Sequence, residues 1–502
     1  MTEPAMRIVI VGGGTAGWMT AAALARFAPP GYTITLIESE AIGTVGVGEA
    51  TIPAIKAFND ALDIDEAAFL RATKASFKLG IEFAGWVADG HSYMHAFGTI
   101  GRQLGVLPFR HFWARGRAQG LAKPLAHYSA NELAARTGRM ATGASGPGIQ
   151  EVPYAYHFDA GLCAQLLRKY AEARGVVRIE GLLQGATRTA EGDIAAVVTD
   201  DGRAIDGDFF VDCSGFRGLL IEQELHTGYE DWSHWLPCDR AVAVPCAPTG
   251  DFTPYTRATA RRAGWQWRIP LQHRIGNGHV FCSAFISDDE AAATLLANLD
   301  GAPLADPKVL RFVTGRRKQV WNRNVLAVGL ASGFLEPLES TSIHLIQSAV
   351  TRLLAVLPGQ RIEPAVVEGF NRRAAEELEG VRDFLVLHYW ANQRSGEPFW
   401  DRMRGLELPA SLRQRIAEFE AVCQIQPRLD DLFTEVAWLQ VLAGQGLTPR
   451  SWNPIADRYS EQELAQFLGS AERAAIETVR PMPRHIDFLA ALCDESQAEH
   501  AA

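Results

Sequence analysis

Short apolar runs that end in small residues recur along the chain, and the first carries the most information. Residues 7–11 (RIVIV) are β-branched and uncharged after Arg7, with no polar alternation. That pattern predicts a strand buried on both faces of a parallel sheet. Gly12-Gly13-Gly14-Thr15-Ala16-Gly17 follows at once and fits G-x-G-x-x-G. Residues 18–27 then read as an alanine-rich helix, and Thr33 to Ile37 as a second strand ending at Glu38. Two later segments repeat the strand-then-turn theme: 209–218 (FFVDCSGFRG) and 325–333 (VLAVGLASG), the latter with Gly329 in its turn. Further on, 364–382 and 410–424 set apolar residues at helical spacing, broken at Gly396-Glu397-Pro398, Leu408-Pro409 and Gly444 to Pro449. The glycine-rich stretch 138–148 reads as a mobile insert and the tail after Cys493 as frayed.

Strand, glycines, helix, strand and acid in that order predict a dinucleotide-binding βαβ opening. Gly12 permits the tight turn, Gly14 lets the backbone approach a pyrophosphate, and Gly17 lets the helix pack on the strand. Thr15 and Ala16 lie in the turn that leads into the helix, whose free N–H groups and positive dipole end favour phosphate. Glu38 can accept from ribose hydroxyls and repels a 2′-phosphate, which favours FAD or NAD over NADP. Three strand ends in small residues suit a long cofactor lying across a sheet edge, Gly329 among its contacts.

Composition narrows the class. The 502 residues suffice for two or three folding units, and 48 basic against 58 acidic side chains give a net charge of −10. A mostly negative surface argues against nucleic acid or an anionic membrane as partner. The seven cysteines form no CxxC pair and no zinc-spaced cluster with histidine, so no metal site and reduced thiols in a cytoplasm are expected. No signal sequence and no stretch of about 20 apolar residues is read.

Several motifs together resemble one family, the flavin-dependent halogenases of the tryptophan halogenase type. They are GGGTAGWMTAAAL at the start, VGVGEATIP at 45–53, FKLGIEFAGW at 77–86 and YHFDAGLCAQLLRKYAEARGV at 156–176. DCSGFRG at 212–218, Trp265-Gln266-Trp267-Arg268-Ile269-Pro270 and GLASGFLEPLESTSI at 329–343 complete the set. The W-x-W-x-I-P hexapeptide is far rarer than G-x-G-x-x-G. The resemblance implies an α/β, FAD/NAD(P)-binding Rossmann-like, flavoprotein monooxygenase-type fold with a mainly helical C-terminal cap. Residues 1–360 are expected to form a discontinuous FAD module with an inserted β-sheet, and 361–502 the cap.

The resemblance further implies reduced FAD from a separate NAD(P)H-dependent flavin reductase, and a halide, bromide or chloride, as co-substrate. Hypohalous acid made at the flavin would travel through a tunnel to Lys78, the family's catalytic lysine position, and from there to an aromatic carbon. Glu339 takes the position of the catalytic glutamate and Ser340 that of the bridge between tunnel and pair. Thr341 and Ser342 take the halide position, where Ser342 replaces the usual glycine. A serine there is strained if the position needs positive φ, which would weaken chloride use relative to bromide. His95 and Phe97 match the residues that sandwich the arene, with Ala96 for the usual proline, and Ala50 lies in the cofactor segment. Trp265 and Trp267 share one strand face, as core filler or as a screen before the flavin. Lys74 is the alternative lysine. Retention of Glu339-Ser340 favours free indole or an indole derivative such as tryptophan over a carrier-bound substrate, and the family allows a homodimer. The competing readings are a flavin-dependent monooxygenase hydroxylating an aromatic compound, and a flavin-binding protein without turnover.

Overall fold

The computed structural model describes residues 6–42, 48–143, 146, 148–250, 252–359, 361–426 and 431–494. Val45, Gly46 and Val47 of the 45–53 motif, part of the glycine-rich insert and the tail after Asp494 lie outside them. The chain divides into two compact units. One holds segments 1–75, 158–239 and 311–379, the other 76–157, 240–310 and 380–502.

The first unit is built on a six-stranded sheet in the order Trp321–Asn322, Val325–Ala327, Phe209–Asp212, Met6–Val11, Tyr32–Glu38, Val177–Glu180. All but the first run parallel. Its central strands are apolar throughout because helices and loops cover both faces: Ile8, Ile10, Phe209 and Phe210 are fully buried. The three strand-then-turn segments are neighbours, with Val11 level with Asp212 and Asp212 with Ala327, so their C-terminal ends meet at one edge. The first helix begins at Thr15, earlier than its apolar pattern suggests, directly out of the glycines.

In the second unit the strands Arg240–Cys246, Ile275–Phe281, Gly264–Pro270, Thr256–Arg261, Gly80–Ala84 and Ser92–Ala96 neighbour one another in that order. Trp265 and Trp267 stand on one face of Gly264–Pro270, 6.1 Å apart, and the Trp267 ring lies over Gly278 of the next strand. A separate short pairing sets Ser76–Lys78 antiparallel to Ala155–Phe158. The helices Pro398–Arg404, Ala410–Val422, Glu435–Gly444, Glu461–Val479 and His485–Cys493 make the C-terminal part mainly helical. No helix among the described residues is long and apolar enough to cross a membrane.

The Ser92–Ala96 strand is a sheet edge, and an unpaired edge is a liability. Here Gln440 takes the place of a neighbouring strand: its Oε1 accepts from Ala96 N–H and its Nε2 donates to Ala96 C=O, each at 3.0 Å. That clamp explains the departure at residue 96, since proline has no N–H to give. Replacing Gln440 by leucine should leave both backbone groups unpaired and cost about 1–3 kcal/mol, read from the urea-unfolding midpoint. An unchanged midpoint would show that the clamp carries no weight.

Candidate active site

The nucleotide end lies in the first unit. Gly12 has φ 111°, and a Cβ there would sit 2.3 Å from the Cys213 carbonyl oxygen. A Cβ on Gly17 would sit 1.8 Å from the Gly12 carbonyl oxygen, so the helix can start this close to the strand only with glycine. Gly14 is different: nothing lies within 4 Å of its would-be Cβ, and no side chain caps the helix behind it. Open space before uncapped N–H groups of Thr15, Ala16 and Gly17 is what a pyrophosphate requires. Gly329, at φ 69°, brings the third strand end against Ala16, whose Cβ would be 2.8 Å from a side chain there. These residues fit a dinucleotide.

Glu38 ends its strand as expected, and its carboxylate lies over Gly13, where a Cβ would meet Oε2 at 1.5 Å. Gly13 is therefore needed for the acid, a role the motif did not reveal. Glu38 already accepts from Arg178 Nε at 2.5 Å and Trp18 Nε1 at 3.3 Å, which leaves acceptor capacity for a hydroxyl. Asp212 has none left. Its Oδ1 takes Ser214 N–H and Oγ, and its Oδ2 takes the N–H groups of Leu220 and Ile221, so it shapes its own turn. Ala50 is buried in the short strand Glu49–Ala50.

The same unit carries Glu339 and Ser340, both buried, at the end of the 3-10 turn Pro337–Glu339. The strain expected at residue 342 is not there. Ser342 opens the helix Ser342–Ala355, and the left-handed residue is Ser340, at φ 57°. The chain makes its bend two residues earlier than supposed, which removes the stated reason for weak chloride use. Thr341 is wholly buried at the start of that helix; its Oγ1 has no hydrogen-bond partner among the described residues, and no side chain caps the helix. An uncapped helix start beside a dry hydroxyl donor is suited to a small anion.

Lys78, His95 and Phe97 lie in the second unit. Lys78 closes the strand Ser76–Lys78 and is fully buried, with Nζ 5.4 Å from the Phe97 ring centroid. Lys74, by contrast, is an exposed helix C-cap. Phe97 is tied to the lysine segment through its N–H, which donates to Leu79 C=O at 2.9 Å. His95, on the same face two residues earlier, meets Phe384 at 5.6 Å and Phe433 at 6.2 Å. Phe384 and Phe433 stack at 3.8 Å, and Trp438 stands edge-on to Phe384. Phe433 and Trp438 are visible in the sequence, but only the fold brings them to His95.

Two buried histidines flank the lysine strand, and neither drew attention in the sequence. His157 faces Ser76 across the pairing, with Nδ1 3.1 Å from Ser76 Oγ and Nε2 2.9 Å from Thr256 Oγ1. Burial holds it well below the usual histidine range, and the positive charges of Lys78 and Arg268 add to the effect. His485 Nε2 accepts the Phe77 N–H at 3.2 Å, and burial pushes this ring down to about 4.

Comparison with known proteins bears on this arrangement. The model of the tryptophan halogenase family matches residues 7–461. Among solved structures, the chain is similar to the flavin-dependent halogenase Xcc4156 of Xanthomonas campestris, with TM-score 0.95 and 47% identity over 97% of this chain and 98% of that one. It is also similar to BrvH, a flavin-dependent halogenase from Brevundimonas sp. BAL3, with TM-score 0.93 and 43% identity over 98% and 100%. Tryptophan 6-halogenase SttH of Streptomyces toxytricini is 34% identical over 97% of this chain and 98% of its own length.

Two predictions follow from the site geometry. Gly17→Ala should destabilise the fold by about 1–3 kcal/mol through overpacking. Gly14→Ala should leave the melting temperature unchanged yet weaken FAD binding by about ten-fold or more, measured by fluorescence titration; equal affinity in wild type and Gly14→Ala would move the pyrophosphate elsewhere. The second concerns pH. His111, His279 and His485 are pushed down to about 4 by burial, and burial also holds His157 well below the histidine range. The unfolded chain therefore binds more protons below the ordinary histidine value, so stability is complete above about pH 6.5 and falls as pH drops toward 4. Glu49, raised to about 7 by burial, and the raised Glu132 act with the opposite sign, two groups against four. Urea midpoints should thus be lower at pH 5 than at pH 7, and a higher midpoint at pH 5 would contradict the assignment.

Proposed function

The chain belongs to the tryptophan halogenase family of flavin-dependent enzymes, and from that membership we propose that it halogenates an electron-rich indole, free indole or a derivative such as tryptophan, with Lys78 handing the halogen to the ring. It is an FADH2-dependent halogenase with a halide ion as co-substrate, and the family relies on a separate flavin reductase for the reduced cofactor. When bound, FADH2 supplies with O2 the oxidising chemistry: FADH2, O2, halide and a proton give FAD, water and hypohalous acid. The arene then exchanges a proton for the halogen, and a second water leaves.

The protein's own residues divide this work. Gly12, Gly14 and Gly17 with the helix start hold the pyrophosphate, and Glu38 a ribose. Thr341 and the first N–H groups of its helix hold the halide. The observation that carries the arene assignment is a lysine without solvent exposure whose ammonium lies 5.4 Å from an aromatic ring. In so dry a place an N–H donor grips an electrophilic halogen species without water competing for it. His95, Phe97, Phe384 and Phe433 offer ring faces and edges to a flat substrate. By its family position Glu339 is the proposed acceptor of the arene proton. Several relatives are tryptophan 6- or 7-halogenases by name, which supports an indole.

The deciding assay supplies FAD, a flavin reductase, NADH, bromide or chloride, and a panel of indoles, with products read by mass. Wild type should give halogenated indole, and Lys78→Ala should lose product by about 100-fold or more while still consuming reduced flavin. Hydroxylated product free of halogen would sink the reading in favour of a monooxygenase.

A further inference from the structure

Lys78 is the last residue of a three-residue strand that has a sheet neighbour on one side only. So short a ladder cannot by itself hold a long side chain still. In the antiparallel register Phe77 turns its N–H away from that neighbour, toward the open edge. The group that meets it comes from the far end of the chain: His485 Nε2, at 3.2 Å. Leu79, on the other side of the lysine, gives its N–H to the Pro254 carbonyl at 2.8 Å. Both residues next to Lys78 are thus anchored on the open edge by groups outside any strand.

The proton on His485 follows from these contacts. Nε2 accepts, so it carries the lone pair; Nδ1 carries the hydrogen and donates to the Phe252 carbonyl at 3.2 Å. The ring lies flat on Phe252, with centroids 4.8 Å apart and planes 4° apart, which fixes its orientation. The Phe77 side chain is held by the same helix, its ring 5.5 Å from Phe488 and 6.1 Å from His485. Across the pairing, Ser76 Oγ donates its one proton to the Pro270 carbonyl at 2.6 Å, so it accepts from His157 Nδ1–H. His157 Nε2 then accepts from Thr256. Two neutral imidazoles of defined tautomer therefore hold the residues leading into the lysine, and side chains alternate along the strand so that Lys78 leaves on the face opposite Phe77. Burial, which disfavours the charged form of both rings, keeps Nε2 of His485 an acceptor at neutral pH.

We propose that His485 is a positioning residue for Lys78: by accepting the Phe77 N–H it fixes the strand from which the ammonium reaches the arene site, and so sets how much of the oxidised halogen ends on carbon. The proposal rests on Lys78 as the halogen carrier. No step of the reaction passes through His485, and its effect is on placement alone.

The test compares His485→Phe, which keeps the stack on Phe252 and loses the acceptor, with His485→Gln, whose Oε1 replaces Nε2. Lys78→Ala is the control for the underlying reading. Three quantities are measured with bromide and indole: brominated product per reduced flavin consumed, the KM for indole, and hydrogen exchange of the peptide spanning 74–79 in the cofactor-free protein. His485→Phe should lower product per flavin by about five-fold or more, with KM within about two-fold, and should speed exchange at Phe77. His485→Gln should restore both coupling and protection to within about two-fold of wild type. A role in general stability would lower the urea-unfolding midpoint and speed exchange throughout the chain rather than at Phe77, and would overturn the proposal. Wild-type coupling in His485→Phe, with Lys78→Ala inactive, overturns the proposal and leaves the lysine reading standing. Full product from Lys78→Ala overturns both. If His485→Phe does not fold, His485→Gln decides: coupled turnover with a protected Phe77 amide supports the proposal, and uncoupled turnover overturns it.

Discussion

The nucleotide half depends on one close approach, the carbonyl of Gly12 against the backbone of Gly17. A single methyl group at either position would meet backbone atoms at distances no side chain tolerates. Because both are glycine, the first helix starts immediately after the first strand, and its uncapped N–H groups face the sheet edge where three strand ends meet. The ladder continues past that edge: Gly12 N–H reaches Ile37, Cys213 N–H reaches Val11, and Val328 N–H reaches Asp212. The turns are thereby as fixed as the strands, and a dinucleotide meets a surface already arranged for it.

The second unit rests on a different constraint, the burial of Lys78. An ammonium taken out of water is costly unless its surroundings compensate. Around Lys78 the compensation includes an aromatic ring within cation–π range, and the nearby histidine is neutral and so adds no repulsion. Anchoring the lysine strand from several directions keeps this expensive group from relaxing toward solvent.

Much of this was legible in the sequence because the signals were local. The βαβ opening and the helical C-terminal stretches follow from neighbours within one element, whereas Lys78 was singled out only by resemblance. The missed contributions come from pairs distant in the chain: Gln440 on Ala96, 344 residues apart, and His485 on Phe77, 408 apart. Nothing near Ala96 announces that its N–H is in use, and nothing near His485 marks it as more than a helix start. Ser342 shows the opposite error. Strain there depended on the position needing positive φ, whereas the chain bends at Ser340. Gly13 has no role of its own in the motif, because the acid it makes room for lies on the next strand.

The Gln440 clamp also has an evolutionary side. It fastens the helix Glu435–Gly444 to the strand that carries His95, and the same helix bears Trp438 beside the stacked Phe384 and Phe433. The aromatic cluster beside His95 is thus mounted partly on a helix that a side-chain amide fastens to the sheet edge. Such a segment can be exchanged or lengthened without re-registering any strand. Substrate range can then diverge among descendants of one ancestor while the glycine turn and its helix stay unchanged.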